Sequence, residues 1–129
     1  MADSPDTAWA EWYRWLSESG LPPALGLPRA LWQLRVSGDR FADLRSERGL
    51  ARVGPRAPSP DRPDWPEFQA VGQRLAGEGY AGLVAPSAAR KPGQVLCLFW
   101  PPRSDTSVES VGKPALVSAP PLPPRGLRT

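Results

Sequence analysis

Any chemistry in this chain depends on carboxylate, hydroxyl and guanidinium side chains. The 129 residues include no histidine and a single cysteine, Cys97. A Ser-His-Asp triad, a zinc site of paired cysteines and histidines, and an internal disulfide bond are therefore excluded. The sequence also lacks a phosphate-binding glycine loop and a dinucleotide-binding glycine fingerprint. We expect no metal site, and we expect any catalysis to use acids, hydroxyls and arginines.

A short polar segment between two apolar stretches is the best place for functional side chains. Ser87 and Arg90 lie in the sequence Pro-Ser-Ala-Ala-Arg-Lys-Pro-Gly, which spans 86–93. The flanking stretches 80–85 and 94–100 are apolar and β-prone, which predicts a strand, a loop and a strand. Loops at strand ends often display functional side chains. The alternative is an ordinary turn in which Ser87 bonds its own backbone and Arg90 is solvated.

The first helix is predicted over residues 5–19 and carries Glu11. Ser4 is a typical N-cap, a proline follows it, and Gly20 ends the pattern. Apolar residues recur every three or four positions and define one face of this helix. These residues are Trp9, Trp12, Tyr13 and Leu16. Glu11 is expected on another, polar face, where the pattern alone predicts a solvated carboxylate paired with Arg14.

Further along the chain, the patterns predict both strands and helices. Residues 30–36 alternate apolar and polar side chains, which predicts a strand, and residues 46–52 predict a short helix. A proline-rich stretch over 54–63 predicts a surface loop. Asp64 and the glutamate three residues later predict the start of a second helix that ends near Gly77. Together these elements predict a mixed α/β domain of the α+β type.

Tryptophans are numerous in the first hundred residues. Five of them, at helical or strand spacing, could stack on a nicotinamide or adenine ring, although aromatic residues at such spacing more often pack in a core. We therefore expect most of them to be core residues. The five are Trp9, Trp12, Trp15, Trp32 and Trp65.

The last part of the chain is expected to be disordered. Residues 101–129 are rich in Pro, Ser and Arg and contain no aromatic residue, in contrast to residues 1–100. This shift predicts one domain over 1–100 and a Pro-rich disordered tail over 101–129. Within the tail, Pro120 to Arg125 has the form Pro-x-x-Pro-x-Arg, which aromatic grooves bind as polyproline II. A plain linker or disordered end is the alternative.

Charge and hydropathy exclude two classes of partner. The net charge is +3 at pH 7 and the pI is about 9.6. The basic excess is mostly arginine, since Lys91 and Lys113 are the only lysines, and it forms no tight nucleic-acid-binding block. No apolar stretch approaches the ~20 residues that span a membrane, and the N-terminus lacks the features of a signal peptide. We expect a cytoplasmic protein with no nucleic-acid or membrane partner.

Two motifs resemble the RES family. Residues 78–99 begin Glu-Gly-Tyr-Ala-Gly-Leu-Val-Ala-Pro-Ser-Ala-Ala-Arg and end Leu-Cys-Leu-Phe. They are similar to the family's closing motif, in which a Gly-aromatic-x-Gly strand leads into Pro-Ser-x-x-Arg, a glycine turn and an apolar strand. Residues 2–11, Ala-Asp-Ser-Pro-Asp-Thr-Ala-Trp-Ala-Glu, are similar to its glutamate-bearing helix. The motifs occur in the family's order, and the resemblance covers about residues 2–100.

The family takes its name from an arginine, a glutamate and a serine, and the resemblance assigns two of them. Glu11 matches the glutamate and Ser87 matches the serine. In the family the arginine lies in a strand before the helix, so its position would precede Met1. The resemblance therefore implies a partial RES-like domain, similar in fold to ADP-ribosyltransferases, with its N-terminal strands missing. An internal methionine taken as the start of a longer coding region and a truncated relic are the two explanations.

The resemblance implies a bacterial toxin of a toxin–antitoxin system that cleaves the nicotinamide–ribose bond of NAD+ by phosphorolysis or hydrolysis. Glu11 and Ser87 would then be catalytic and Arg90 would bind a phosphate of the dinucleotide. NAD+ would be the substrate, with no cofactor, and the partner would be an antitoxin protein that plugs the site. Because the family arginine has no counterpart, the activity of this chain stays open. The alternative is a non-catalytic RES-fold module that binds an antitoxin-like partner.

Overall fold

A computed structural model describes residues 1–54 and 65–128 of the chain. Within these ranges the protein is an α+β domain of three α-helices and seven short strands, which confirms the predicted fold class. The predicted surface loop, apart from Gly54, and the predicted cap Asp64 lie outside the described residues. In chain order the elements are α1 (Pro5–Ser19), β1 (Arg29–Leu31), β2 (Leu34–Ser37), β3 (Phe41–Asp43), α2 (Glu47–Val53), α3 (Trp65–Gly77), β4 (Gly82–Pro86), β5 (Gln94–Leu98), β6 (Ser107–Ser110) and β7 (Ala115–Val117).

Helix α1 has the ends that its sequence predicts. The Ser4 side chain accepts a hydrogen bond from the Thr7 amide at 3.2 Å, which satisfies one of the free N–H groups of the first turn. Gly20 has a φ of 65° and donates its N–H to the carbonyls of Leu16 and Ser17, which closes the last turn. The local signals therefore fix both ends of the helix that carries Glu11.

A three-stranded sheet with the order β3-β4-β5 forms the centre of the domain. Strand β4 runs parallel to β3 and antiparallel to β5. Helices α2 and α3 contribute apolar side chains to the core against this sheet. Strands β4 and β5 confirm the predicted pair of strands around the loop that contains Ser87, residues 87–93, which we call the Ser87 loop. The buried core residues are Ala42, Leu44, Leu50, Val71, Leu75 and Ala85.

Two further pairs of strands lie outside the central sheet. Strand β1 pairs with β7 and β2 pairs with β6, both antiparallel. The single strand predicted over 30–36 is thus two strands separated by Trp32 and Gln33. The first residues of the chain also join the central sheet, because the Leu96 amide donates to the Met1 carbonyl at 2.7 Å and the Asp3 amide donates to the Gln94 carbonyl at 3.0 Å.

The expectation of a disordered tail over 101–129 is corrected by the structure. Residues 107–110 and 115–117 form β6 and β7, whose partners lie in the first third of the chain. Residues 121–128, which we call the C-terminal strap, contact α1 and the Ser87 loop. The Tyr13 hydroxyl donates to the Pro121 carbonyl, and the Arg128 amide donates to the Ala89 carbonyl at 2.7 Å. The composition of residues 101–129 did not indicate these contacts, because the segments that they bind are distant in sequence.

The tryptophans differ in environment, and the expectation of core packing holds for only part of them. Trp12 is 7% exposed and packs edge-on to Trp9, with ring centroids 5.5 Å apart. Trp15 and Trp32 are half exposed, at 46% and 52%. Arg29 lies over the Trp15 ring at 5.4 Å, which shields part of that surface.

A glycine-to-alanine pair tests the packing of the central sheet. A Cβ at Gly82 in β4 would overlap the carbonyl oxygen of Cys97 in the neighbouring strand, whereas a Cβ at Gly72 in α3 would meet only the Phe99 ring, at 3.7 Å. We expect Gly82→Ala to lower the free energy of unfolding by about 2 kcal/mol, because the strands must move apart. Gly72→Ala should raise it by about 0.5 kcal/mol, because alanine favours the helix. Urea unfolding of both variants checks this, and equal effects would contradict the strand geometry.

Candidate functional site

The structure brings Glu11 and Ser87 together, although 76 residues separate them in sequence. The Ser87 hydroxyl donates a hydrogen bond to the Glu11 Oε1 atom at 2.6 Å. Ser87 is buried, at 4% exposure, and Glu11 is partly buried. The two residues assigned by resemblance therefore form one hydrogen-bonded pair between α1 and the loop that follows β4.

The hydroxyl of Ser87 has no hydrogen-bonding capacity left in this arrangement. Besides donating to Glu11, it accepts from the backbone amides of Ala89 and Arg90, each at 3.1 Å. A serine hydroxyl offers one donor and two acceptor positions, so these three bonds saturate it. Ser87 thus holds the Glu11 carboxylate and the loop in place, and among the described residues the second carboxylate oxygen, Oε2, accepts no hydrogen bond.

Glu11 lies on the side of α1 that packs against the Ser87 loop, which we call the polar seam, and not on the solvated face that the sequence pattern predicted. Thr7 and Ala10, which precede Glu11 by four residues and one residue, are 0% exposed, and Arg14 is only 9% exposed. The expected pair between Glu11 and Arg14 is wrong, because the Arg14 Nε atom donates to Glu18 at 2.8 Å. Helix α1 therefore buries two sides, an apolar side and a polar seam against the loop.

Small side chains let the loop approach this seam. A Cβ at Gly93 would lie 2.8 Å from the Thr7 hydroxyl oxygen, so any other residue at this position would push the loop outward. The Ser87 amide donates to the Gly93 carbonyl at 2.8 Å, which closes the loop into a compact turn. The Thr7 hydroxyl also lies 2.9 Å from the Ser4 hydroxyl, within hydrogen-bonding distance. The glycine and the threonine together set the distance at which Ser87 meets Glu11.

Arg90 is directed into the protein. Its side chain is 16% exposed, and its Nη1 atom donates to the Thr7 hydroxyl at 3.2 Å and to the Pro92 carbonyl at 2.6 Å. The Nε atom donates to the Arg125 carbonyl at 3.0 Å, and Nη2 reaches the Asp6 carboxylate at 3.4 Å. The guanidinium that was expected to meet a phosphate is therefore occupied by acceptors of the protein itself.

A cleft of about 830 Å³ opens beside the first turn of α1. Its walls come from residues 1–5, from β4 and β5, and from the segments 31–36 and 111–115. Ala8, three residues before Glu11, also lines the cleft, whereas Glu11 and Ser87 do not. Its lining is mostly apolar with a few polar groups, as is typical of small-molecule sites. The polar lining residues are Asp3, Ser4, Gln33, Gln94 and Lys113. The sequence patterns gave no signal for this cleft, because its walls come from segments far apart in the chain.

Among residues 1–54 and 65–128, shifted pKa values occur at two exposed ion pairs, and neither pair hydrogen-bonds to Glu11 or Ser87. Hydrogen bonds from the side chain and the backbone amide of Arg45 lower the pKa of Asp43 to about 2. A hydrogen bond from Arg103 lowers the pKa of Asp105 below its ordinary value. Solvent screens such pairs, so they are surface features and not parts of a site.

No helix in the described parts of the chain is long and apolar enough to cross a membrane.

The fold and the site define an α+β domain with a helix carboxylate held by a hydroxyl at a strand end. Across residues 1–54 and 65–128, no group of acids and cysteines could hold a metal ion. The family model of the RES domain matches residues 1–120, so the chain belongs to the RES domain family. This match confirms the resemblance and extends it past the boundary expected at residue 100. Searches of curated proteins and of solved structures found no match to the chain.

Removal of the Ser87 hydroxyl tests its structural role. We expect Ser87→Ala to lower the free energy of unfolding by about 2–4 kcal/mol, because two loop amides and a carboxylate oxygen lose their partner in a buried place. Glu11→Gln should cost no more than about 1 kcal/mol, because the amide oxygen can still accept from Ser87. Urea unfolding measures both. A Ser87→Ala loss no larger than that of Ser19→Ala, at the exposed end of α1, would contradict the saturated hydroxyl.

Proposed function

We propose that this RES-domain protein cleaves the nicotinamide–ribose bond of NAD+ and acts as a toxin by depleting NAD+. The observation that supports this proposal best is the Glu11 carboxylate, which the buried Ser87 hydroxyl holds by Oε1 at 2.6 Å. A carboxylate fixed by one oxygen keeps the other oxygen for a substrate. Membership of the RES domain family supports the reaction class that we propose, and the geometry supports the role that we propose for each residue.

The reaction breaks the bond between C1′ of the ribose and the ring nitrogen of nicotinamide. The bonding electrons leave with nicotinamide, so that positive charge develops on the ribose in the transition state. A carboxylate stabilises such an oxocarbenium-like state, or holds a ribose hydroxyl beside it, as in glycosidic cleavage generally. We assign this role to Glu11. An oxygen of phosphate or of water then forms the new bond to C1′, and in the reaction with water the displaced proton is released to solvent.

Ser87 acts in this proposal as a positioning residue. Its donor and both acceptor positions are already used by Glu11 and by the two loop amides. A direct bond to the substrate would require one of these bonds to break. The expectation that Ser87 is itself catalytic is therefore replaced by the proposal that it orients the Glu11 carboxylate. A carboxylate that is already oriented loses less entropy when the substrate binds.

The cleft beside α1 is the place that we propose for the dinucleotide. Its volume, about 830 Å³, lies within the ~300–1,000 Å³ range of small-molecule sites. Glu11 lies beside the cleft and not in its lining, one helical turn beyond the lining residue Ala8 on the same side of α1. The expected phosphate ligand, Arg90, is occupied by protein acceptors. Lys113 lines the cleft and is a cation that could meet the pyrophosphate. We assign this role to Lys113 in place of Arg90.

Substitution of the carboxylate is the central test of the function. We expect Glu11→Gln to reduce nicotinamide release from NAD+ by at least about 100-fold, because the amide cannot stabilise positive charge on the ribose. The matched control is Glu18→Gln on the same helix, whose carboxylate is 41% exposed and paired with Arg14. That variant should keep near-normal activity. Nicotinamide is measured by chromatography, with and without phosphate, to identify the acceptor.

Two outcomes would contradict the catalytic proposal. One is equal activity of the parent protein and Glu11→Gln, which would remove the carboxylate from the mechanism. The other is a folded parent protein, confirmed by circular dichroism, that releases no nicotinamide with either acceptor. Binding of an antitoxin-like protein stays a prediction from the resemblance, and co-purification with a partner would test it separately.

The cation in the cleft has a test of its own. We expect Lys113→Ala to raise the KM for NAD+ by about 3- to 10-fold with kcat little changed, because an exposed charge-assisted bond to phosphate contributes to substrate binding. The control is Arg35→Ala. Arg35 alternates with the cleft-lining residues Leu34 and Val36 along β2, so its side chain points to the other face of the strand. Equal changes in KM for the two variants would contradict a phosphate contact in the cleft.

A further inference from the structure

Arg90 connects three segments that are far apart in sequence. Its guanidinium donates to the first turn of α1 through Thr7, to its own loop through Pro92, and to the C-terminal strap through the carbonyl of Arg125. The nearby Asp6 carboxylate, at 3.4 Å, provides the only acidic partner among the described residues. A planar guanidinium has five donors in a fixed fork, which suits it to hold several acceptors at once.

The strap also bonds directly to the backbone of the Ser87 loop. The Lys91 amide donates to the Gly126 carbonyl at 3.1 Å, and the Arg128 amide donates to the Ala89 carbonyl at 2.7 Å. Between these bonds, Arg90 and Leu127 form an antiparallel bridge. The strap therefore pairs with the loop like a short extra strand.

The strap bonds to Ala89 and Arg90, and these are the two residues whose amides bond to the Ser87 hydroxyl. The amides of Ala89 and Arg90 donate to the Ser87 hydroxyl, which in turn donates to Glu11. Movement of the strap would therefore change the position of these two amides and with them the direction of the hydroxyl. The chain of contacts runs from the strap to the loop, from the loop to Ser87, and from Ser87 to Glu11.

We propose that Arg90 is a positioning residue and that the C-terminal strap, residues 121–128, orients the Glu11 carboxylate by fixing the Ser87 loop. This inference rests on the proposed function for the role of Glu11. Its structural part, the coupling from strap to loop, does not depend on catalysis. Arg90 acts through Ser87 and Glu11 and does not contact the substrate.

Gly126 offers a way to displace the strap without changing any bonding side chain. Its φ is 83°, and a Cβ there would overlap the carbonyl oxygen of Lys91. Gly112 is the matched control, since its φ is 71° and a Cβ there would meet nothing within 4 Å. Both alanine variants introduce similar backbone strain, but only Gly126→Ala pushes the strap away from the loop.

Hydrogen exchange of the full-length protein tests the coupling. We expect Gly126→Ala to accelerate exchange of the Ala89 and Arg90 amides by at least about tenfold, because the loop opens more often. Gly112→Ala should leave these amides unchanged. Unchanged exchange at Ala89 and Arg90 in Gly126→Ala overturns the proposal, whatever happens at the strap itself. If Gly126→Ala does not fold, Tyr13→Phe removes the bond to Pro121 without a clash and should accelerate the same amides more weakly, by about threefold.

Kinetics of Arg90→Lys distinguish positioning from substrate binding. A lysine keeps the positive charge but cannot hold three segments with one planar fork. A positioning role predicts that kcat falls by at least about tenfold while the KM for NAD+ changes less than about twofold. A phosphate-binding role predicts mainly a rise in KM, and that result overturns the proposal. If the parent protein shows no NAD+ cleavage, the proposed function fails, and the exchange experiment still decides the coupling.

Discussion

The hydroxyl of Ser87 is the group on which the rest of the site depends. It is nearly inaccessible to solvent, and it joins a helix carboxylate to two backbone amides of a loop. Polar groups in such a place must pair with one another, because water cannot replace a lost partner without cost. The Ser87 side chain therefore joins α1 to the loop directly, whereas the C-terminal strap bonds to the backbone of the loop and to the side chains of Arg90 and Tyr13. On the proposed coupling, a change in any of the three elements alters the direction in which Glu11 is held.

Local signals were sufficient to predict the helix that carries Glu11 and the strands around Ser87. Ser4, Pro5 and Gly20 act within a few residues of the helix ends, so the sequence pattern already contains the interactions that fix these ends. The family motifs singled out Glu11 and Ser87, and the structure joins these two side chains by a hydrogen bond. Residue types and spacing predict these features because the helix caps act within a few residues and the strands around Ser87 belong to a continuous sequence motif.

Other features could not be predicted because they depend on contacts between distant segments. Strands β6 and β7 come from a polar, proline-rich sequence and exist through their pairing with β2 and β1. The helical pattern placed Glu11 on a solvated face, since only the apolar face is marked by hydrophobic residues. The second buried side of α1 is lined by Thr7 and Ala10. One of these side chains is polar and the other is small, so they do not form the apolar stripe by which a buried helix face is recognised in a sequence. Arg90 was expected to be free for a phosphate because a sequence does not reveal carbonyl acceptors.

The distribution of charge around Glu11 bears on the chemistry that this residue can perform. The two arginines nearest to the seam have other partners, since Arg14 pairs with Glu18 and Arg90 is held by Asp6 and by carbonyl oxygens. Within the described residues, Glu11 forms no ion pair, and the group that donates to it, the Ser87 hydroxyl, is uncharged. A carboxylate that is oriented but not neutralised by a cation keeps its negative charge for the substrate. In the reaction that we propose, the oxidised nicotinamide ring of NAD+ carries a positive charge and cleavage moves that charge onto the ribose. The same carboxylate would then attract the substrate and stabilise the transition state more strongly as the charge approaches it.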